Sequence, residues 1–261
     1  MRLVLRVLRD IRHLGPRYML SFFYVLSRAK LYPVHIPGFG WMTVRNPSSD
    51  IDVIRQIFIA KQYDLSVFRQ NKRIMDRYED IIDRKKIPVV IDAGANNGAS
   101  AMWFARNFSK AMIVALEPDH DNFLICKKNT SLEKRVVLLE AAIGGSPGFV
   151  TLDDSSGSSW AVQSKRCEGE HPNSVRLESI GSVMEARPDE EELFMVKMDI
   201  EGFEEDVFSQ NLNWLDGISA LLIETHDRLM PGRYSSAPLQ RAIAARRFEI
   251  LISGDNLIYV R

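Results

Sequence analysis

VVIDAGANNGASAMWFA, residues 89–105, followed by MIVALEP ending at Pro118, decides how this chain folds. An apolar strand-like run stops at an acid, turns through two glycines into an apolar helix, and gives way to a second strand capped by Glu117. Such a strand delivers Asp92 to the carboxyl edge of a sheet, while Gly94 and Gly98 let backbone approach a ligand and let the helix start close to the strand. Glu117, 23 residues after Gly94, is placed to accept both hydroxyls of a ribose. Two cofactor classes fit. A nicotinamide dinucleotide wants G-x-G-x-x-G, whose middle glycine makes room for a pyrophosphate at the helix N-terminus. The string here is G-A-N-N-G, with Ala95 and Asn96 where that glycine should be. S-adenosyl-L-methionine has no phosphate but an amino acid end, which groups such as Asp92 and Asn96 suit. The bland alternative is an ordinary βαβ turn in which Asp92 is a helix cap.

The second half of the chain weighs against that alternative. LFMVKMDIEGFEEDVF (193–208) is another strand, running into Lys197, Asp199, Glu201, Gly202 and Glu204, and ALLIETHD (220–227) ends in Glu224 and His226. In order, VIDAGANNG, ALEPDHDNF, LLEAAIGGSPG, VKMDIEGFEEDVF and LLIETH resemble the FkbM-type family of S-adenosylmethionine-dependent methyltransferases, over roughly residues 88 to 227. The resemblance implies an α/β fold of the Rossmann-like class I methyltransferase type, a mostly parallel twisted sheet with helices on both faces. It also implies methyl transfer, usually to a hydroxyl oxygen, on a glycan, lipid-linked saccharide or secondary metabolite.

Ligands of an open α/β sheet bind outside the carboxyl ends of its strands. Asp92, Gly94, Ala95, Asn96 and Gly98 are therefore assigned to the methionine end of the cofactor, Glu117 with Pro118 to the ribose, and Glu140 with Ala141 to the adenine. Asn122 reaches the ribose or stabilises the following helix. Transfer to oxygen requires alignment and removal of a hydroxyl proton. Asp199, Glu201 and His226 are the catalytic candidates, with His226 as general base and Asp199, Glu201 or Glu224 holding its imidazole. The same acids could instead hold a divalent metal, magnesium or manganese by donor type. Lys197 is read as a structural ion-pair partner of these acids. A non-catalytic S-adenosylmethionine-binding scaffold is the alternative function, and a nicotinamide oxidoreductase ranks third.

Lysine plus arginine equals aspartate plus glutamate, 34 of each, which argues against a general nucleic-acid binder. Cys126 and Cys167 are the only cysteines, in no metal-ligand spacing, so a reducing cytoplasm is the expected compartment. The charge is uneven: residues 1–30 carry Arg2, Arg6, Arg9, Arg12, Arg17, Arg28 and Lys30 against the single acid Asp10. Leu3, Val4, Val7, Leu8 and Ile11 recur at helical spacing opposite arginines, and YMLSFFYVL (18–26) is too short to span a bilayer, which needs about 20 apolar residues. Two readings stand: a helix lying on an anionic inner membrane surface, near a lipid-linked acceptor, or an arm packed on the catalytic domain or on a second subunit.

Two regions follow, residues 1–86 with the arm and a lead-in, and residues 87–261 with the cofactor-binding domain. In the lead-in, 32–47 predicts a hairpin, Ser49 or Asp50 a cap for a helix bearing Ile51, Ile54, Ile57 and Phe58 on one face, and Asn71 to Asp83 a second helix. Strands ending at Asp92, Glu117 and Glu140 are spaced 25 and 23 residues apart with helices at 98–108 and 119–129, the interval parallel strands need. Further strands are expected at 149–152, 175–180, 193–199 and 218–225, then a helix near 238–247. The resemblance pairs FEILIS and NLIYVR as a terminal hairpin. The serine-rich stretch 153–173, with Ser158, Ser159 and Trp160, is expected as a loop, a lid or a solvated surface segment.

Overall fold

A computed structural model describes residues 2–26, 29–153, 163–167, 169–229 and 231–261. Its centre is a seven-stranded sheet: β1 Ile87–Ala93, β2 Met112–Leu116, β3 Val136–Leu139, β4 Glu191–Met198, β5 Ala220–Glu224, β6 Glu249–Ser253 and β7 Asn256–Val260, in spatial order β6-β7-β5-β4-β1-β2-β3. The five strands from β3 to β5 are parallel, and β7 runs antiparallel to both β5 and β6. Strands covered on both faces read as unbroken apolar runs. Pro88 to Ala93, Phe194 to Met198 and Ala220 to Ile223 are accordingly all buried.

Alternate residues feed two cores. Val90, Ile113, Ala115 and Leu222 pack with Trp103 and Phe104 of helix Ala99–Asn107, whereas Val89, Ile91, Leu116, Leu221 and Ile223 pack with Ile180 and Leu239 from the helices of the other face. The switch in strand order falls between β1 and β4, where a crevice opens at their carboxyl ends.

The lead-in is built as its pattern predicts. Leu31–Ile36 and Gly40–Arg45 form an antiparallel hairpin with Tyr32, Val34, Ile36, Met42 and Val44 buried, and these join the same core as Val90 and Phe104. Ile54, Ile57 and Phe58 are buried as expected, although the backbone passes from α-helix into a π-turn at Arg55–Ile59. Neither proposed cap acts through its side chain. Ser49 makes no capping hydrogen bond, and the Asp50 carboxylate is taken by Arg45 at 2.7 Å.

In the arm, Arg2–Leu14 and Tyr18–Leu26 are separate helices that break at Gly15 and Pro16. Asp10, its single acid, is fully buried, paired with Arg55 at 2.6 Å and hydrogen-bonded by the Tyr18 hydroxyl at 3.1 Å. Leu14, Tyr18 and Ser21 are buried against the lead-in, while Leu8, Met19, Leu20 and Phe23 face outward. Among the described residues no helix is long and apolar enough to cross a membrane.

A second sheet was not foreseen as such: Ala142–Ile143, Ser174–Glu178, Gly148–Asp153 and Gln163–Cys167 form four strands in that spatial order. Gln163–Cys167 lies inside the expected 153–173 loop. Its polar QSKRC composition suits an edge strand and lacks the apolar alternation that marks a strand in sequence. The expected strand 175–180 stops at Glu178 because Ser179 and Ser182 form a capping box that starts helix Ile180–Glu185. Ser158, Ser159 and Trp160 lie outside the described residues.

Candidate active site

The glycine turn is shaped by Asp199, the residue that follows β4, far from the turn in sequence. Gly94 has φ +77°, and a β-carbon there would stand 1.8 Å from the backbone oxygen of Asp199, so only glycine lets the ends of β1 and β4 meet. Gly98 has φ +84° and faces Cys126 and Thr130 of helix His120–Thr130; it sets helix packing and does not line the cavity.

Asp92 is also displaced from its expected place at the cofactor. The β1/β4 register sets Lys197 beside it, and the fully buried carboxylate pairs with the Lys197 Nζ at 3.1 Å while accepting from the Ser100 hydroxyl at 2.6 Å. The same Nζ donates to the carbonyls of Ala93 and Gly94 at 3.3 and 2.6 Å. Burial works against the ammonium, but the Asp92 charge more than offsets it and holds Lys197 protonated. Lys197 thus forms the expected ion pair, but with Asp92 and not with Asp199, Glu201 or Glu224.

One cavity is lined by Gly94, Asn96, Glu117, Pro118, Ala141, Asp199 and Glu201. Glu117, 4% exposed, accepts the Asn96 N–H at 2.7 Å on one oxygen, and the Asp119 N–H at 3.0 Å and Asn122 Nδ2 at 3.3 Å on the other. Burial raises its pKa to about 7 in spite of these donors. Asn122 lines the cavity and steadies Glu117, and its own oxygen accepts Arg45 at 2.6 Å, so the lead-in hairpin supports the acid. The cavity's apolar wall includes Ala142, Ile143 and Phe203. Glu140 is absent from that wall. It turns outward to His120, 2.6 Å away, and only its neighbour Ala141 reaches the cavity.

Asp199 follows β4 and Glu224 ends β5, and because Met198 lies opposite Ile223 the two acids are neighbours. Between them sits His226, 2% exposed. Its Nδ1 meets Glu204 Oε1 at 2.6 Å, and its Nε2 faces Asp199 and Glu201 at 3.6 Å and Glu224 at 3.9 Å. Burial disfavours the imidazolium, but the Glu204 hydrogen bond and the surrounding carboxylates prevail and raise the pKa to about 9. The surrounding carboxylates favour the protonated ring, which speaks against the base role expected for His226. The group that orients it is Glu204, the last acid of K-x-D-x-E-G-x-E, not Asp199, Glu201 or Glu224. Glu201 has φ +51°, a strained left-handed position for a non-glycine residue. Burial and the Asp199 charge raise its pKa to about 7. Asp199, Glu224 and His226 also bring one ligand atom each within 4.8 Å of the others, a spacing a divalent cation accepts.

The profile of the Methyltransferase FkbM domain matches residues 92–235. The 2-O-methyltransferase NoeI of Sinorhizobium fredii is 29% identical over 140 residues, covering 48% of this chain and 58% of NoeI, so the chain spans less than two thirds of that relative. Among solved structures, a putative O-methyltransferase from Klebsiella pneumoniae is similar at 12% identity and a TM-score of 0.41, over 75% of this chain and 88% of that one. A methyltransferase from Geobacter sulfurreducens is similar at 17% identity and a TM-score of 0.39, over 84% and 90%. The domain match alone spans more than half of the sequence, from Asp92 through the acids around His226, and the chain belongs to the FkbM methyltransferase family.

Proposed function

We propose that the protein transfers the methyl group of S-adenosyl-L-methionine to a hydroxyl oxygen of a saccharide or a similarly hydroxylated metabolite. The observation that carries this reading is a single cavity lined both by Glu117 and by the acids Asp199 and Glu201. Two features fit the cofactor: Glu117 as acceptor for ribose hydroxyls, and the Asn96 Oδ1, a buried acceptor on the wall with no hydrogen-bond partner among the described residues. When bound, the cofactor supplies an electrophilic methyl whose leaving group is a neutral thioether. The protein then has to align the hydroxyl and take its proton.

Glu201 is the proton acceptor in this account, since a carboxylate with a pKa about 7 is matched to work near neutral pH. Asp199, beside it, orients the hydroxyl. His226, held by Glu204, keeps both carboxylates in place and is a positioning residue. So many acids around the reacting end favour a neutral polyhydroxylated acceptor over an anionic one. A binding scaffold would have no use for Glu201 in a strained conformation facing the cavity.

The test is transfer of labelled methyl from S-adenosyl-L-methionine to a panel of neutral glycans and phenols. The rate should rise with pH through about 7 as Glu201 loses its proton. Glu201→Gln should lower kcat by about 10²–10⁴-fold while S-adenosylhomocysteine still binds. Full activity in that variant would remove Glu201 as the base.

A further inference from the structure

The two helices of the arm lean on the same lead-in, and each uses one side to do so. Asp10 and Leu14 are buried in helix Arg2–Leu14, and Tyr18 and Ser21 in helix Tyr18–Leu26. Leu14 and Tyr18 join the core that holds the hairpin, and the Ser21 hydroxyl donates to the Pro33 carbonyl at 2.7 Å. At about 100° of rotation per residue, Met19, Leu20, Phe23 and Tyr24 share one arc of the second helix, on the side away from Tyr18 and Ser21. All four are exposed, Phe23 to 63%. The same rotation groups Leu8 with Arg9, Arg12 and His13 on the outer side of the first helix, and these are exposed as well. Apolar side chains held out together, on helices that already have a core to pack on, mark a contact surface.

Charge decides what that surface meets. The single acid of residues 1–30, Asp10, is buried against Arg55 at 2.6 Å, so among the described residues the outer side of the arm carries cations without an acid: Arg9, Arg12, Arg17 and Lys30. A second copy of this face would set like charges against each other, which disfavours self-association through it. An anionic phospholipid surface takes both parts, phosphates for the arginines and acyl chains for the apolar group.

We infer that the arm seats the protein on an anionic phospholipid membrane, with Met19, Leu20 and Phe23 entering the interface and the flanking arginines meeting lipid phosphates. The helices lie along the surface and do not cross it. This docking does not depend on the cofactor reading. It does bear on where the chemistry happens, because the hairpin that holds the arm through Pro33 also reaches the cavity wall, through Arg45 and Asn122.

Co-sedimentation of the full chain with vesicles of phosphatidylcholine alone, and of phosphatidylcholine mixed with phosphatidylglycerol, tests the inference. The protein should bind the mixed vesicles, leave the neutral ones largely free, and be released as salt rises. Arg9→Gln combined with Arg12→Gln should lower partitioning onto the mixed vesicles by about 30-fold, and Phe23→Ser by about tenfold. Thermal melting should be unchanged in both variants, because the altered side chains are exposed. Equal binding to the two vesicle types, binding to neither, or binding untouched by both variants would overturn the inference. A dimer of the unaltered protein that Phe23→Ser dissolves, seen by light scattering without vesicle binding, would overturn it and give the face to a second copy of the chain.

Discussion

Lys197 and His226 are both 2% exposed, both charged at neutral pH, and both placed where the central strands end, yet they are surrounded in opposite ways. Lys197 meets one carboxylate and two carbonyls, and the account is closed: charge balances, and the pair lies beneath the glycine turn. His226 meets four carboxylates, of which Asp199 and Glu201 open onto the cavity. Excess buried negative charge raises carboxylate pKa values and weakens the fold, so it persists where chemistry uses it. A balanced buried pair holds two strands together; an unbalanced one prepares a reaction.

The largest expected effect breaks the balanced pair. Lys197→Met strands Asp92 in the core and should cost about 3–5 kcal/mol of stability in urea unfolding. Adding Asp92→Asn should recover much of that loss. A neutral Lys197→Met would show that Asp92 is not ionised there and would erase the contrast with His226.

A smaller, pH-dependent effect sharpens the other half. The folded pKa of His226, about 9, lies above the ordinary 6.5, so its contribution is complete below pH 6.5 and fades as pH rises toward 9. The unaltered protein should therefore lose stability across that window, and His226→Gln should show a flatter profile there. Identical slopes in the two proteins would mean that His226 is not protonated among its carboxylates.

Much of the frame could be read directly. Parallel strands buried on both faces announce themselves as unbroken apolar runs, which is why β1, β2, β4 and β5 were expected within a residue or two of their observed ends. Asp92 was misplaced because an acid at a strand end looks the same whether it faces a ligand or a lysine. Only the register that sets Lys197 opposite it decides, and register is not written in either strand alone. Glu204 was visible as the last acid of its motif, but its meeting with His226 depends on a 22-residue connection that includes β5. Arg45 carried no signal at all. It reaches the site by packing of the lead-in hairpin onto helix His120–Thr130, a contact that leaves no periodicity behind.

Calorimetric titration of the protein with S-adenosylhomocysteine and, separately, with NAD tests most directly whether the cavity lined by Glu117 and Glu201 binds S-adenosyl-L-methionine. One site is expected for S-adenosylhomocysteine, weakened by about 1.5–3 kcal/mol in Glu117→Ala through loss of charged hydrogen bonds, and no site for NAD. Binding of NAD, or S-adenosylhomocysteine affinity untouched by Glu117→Ala, would contradict it.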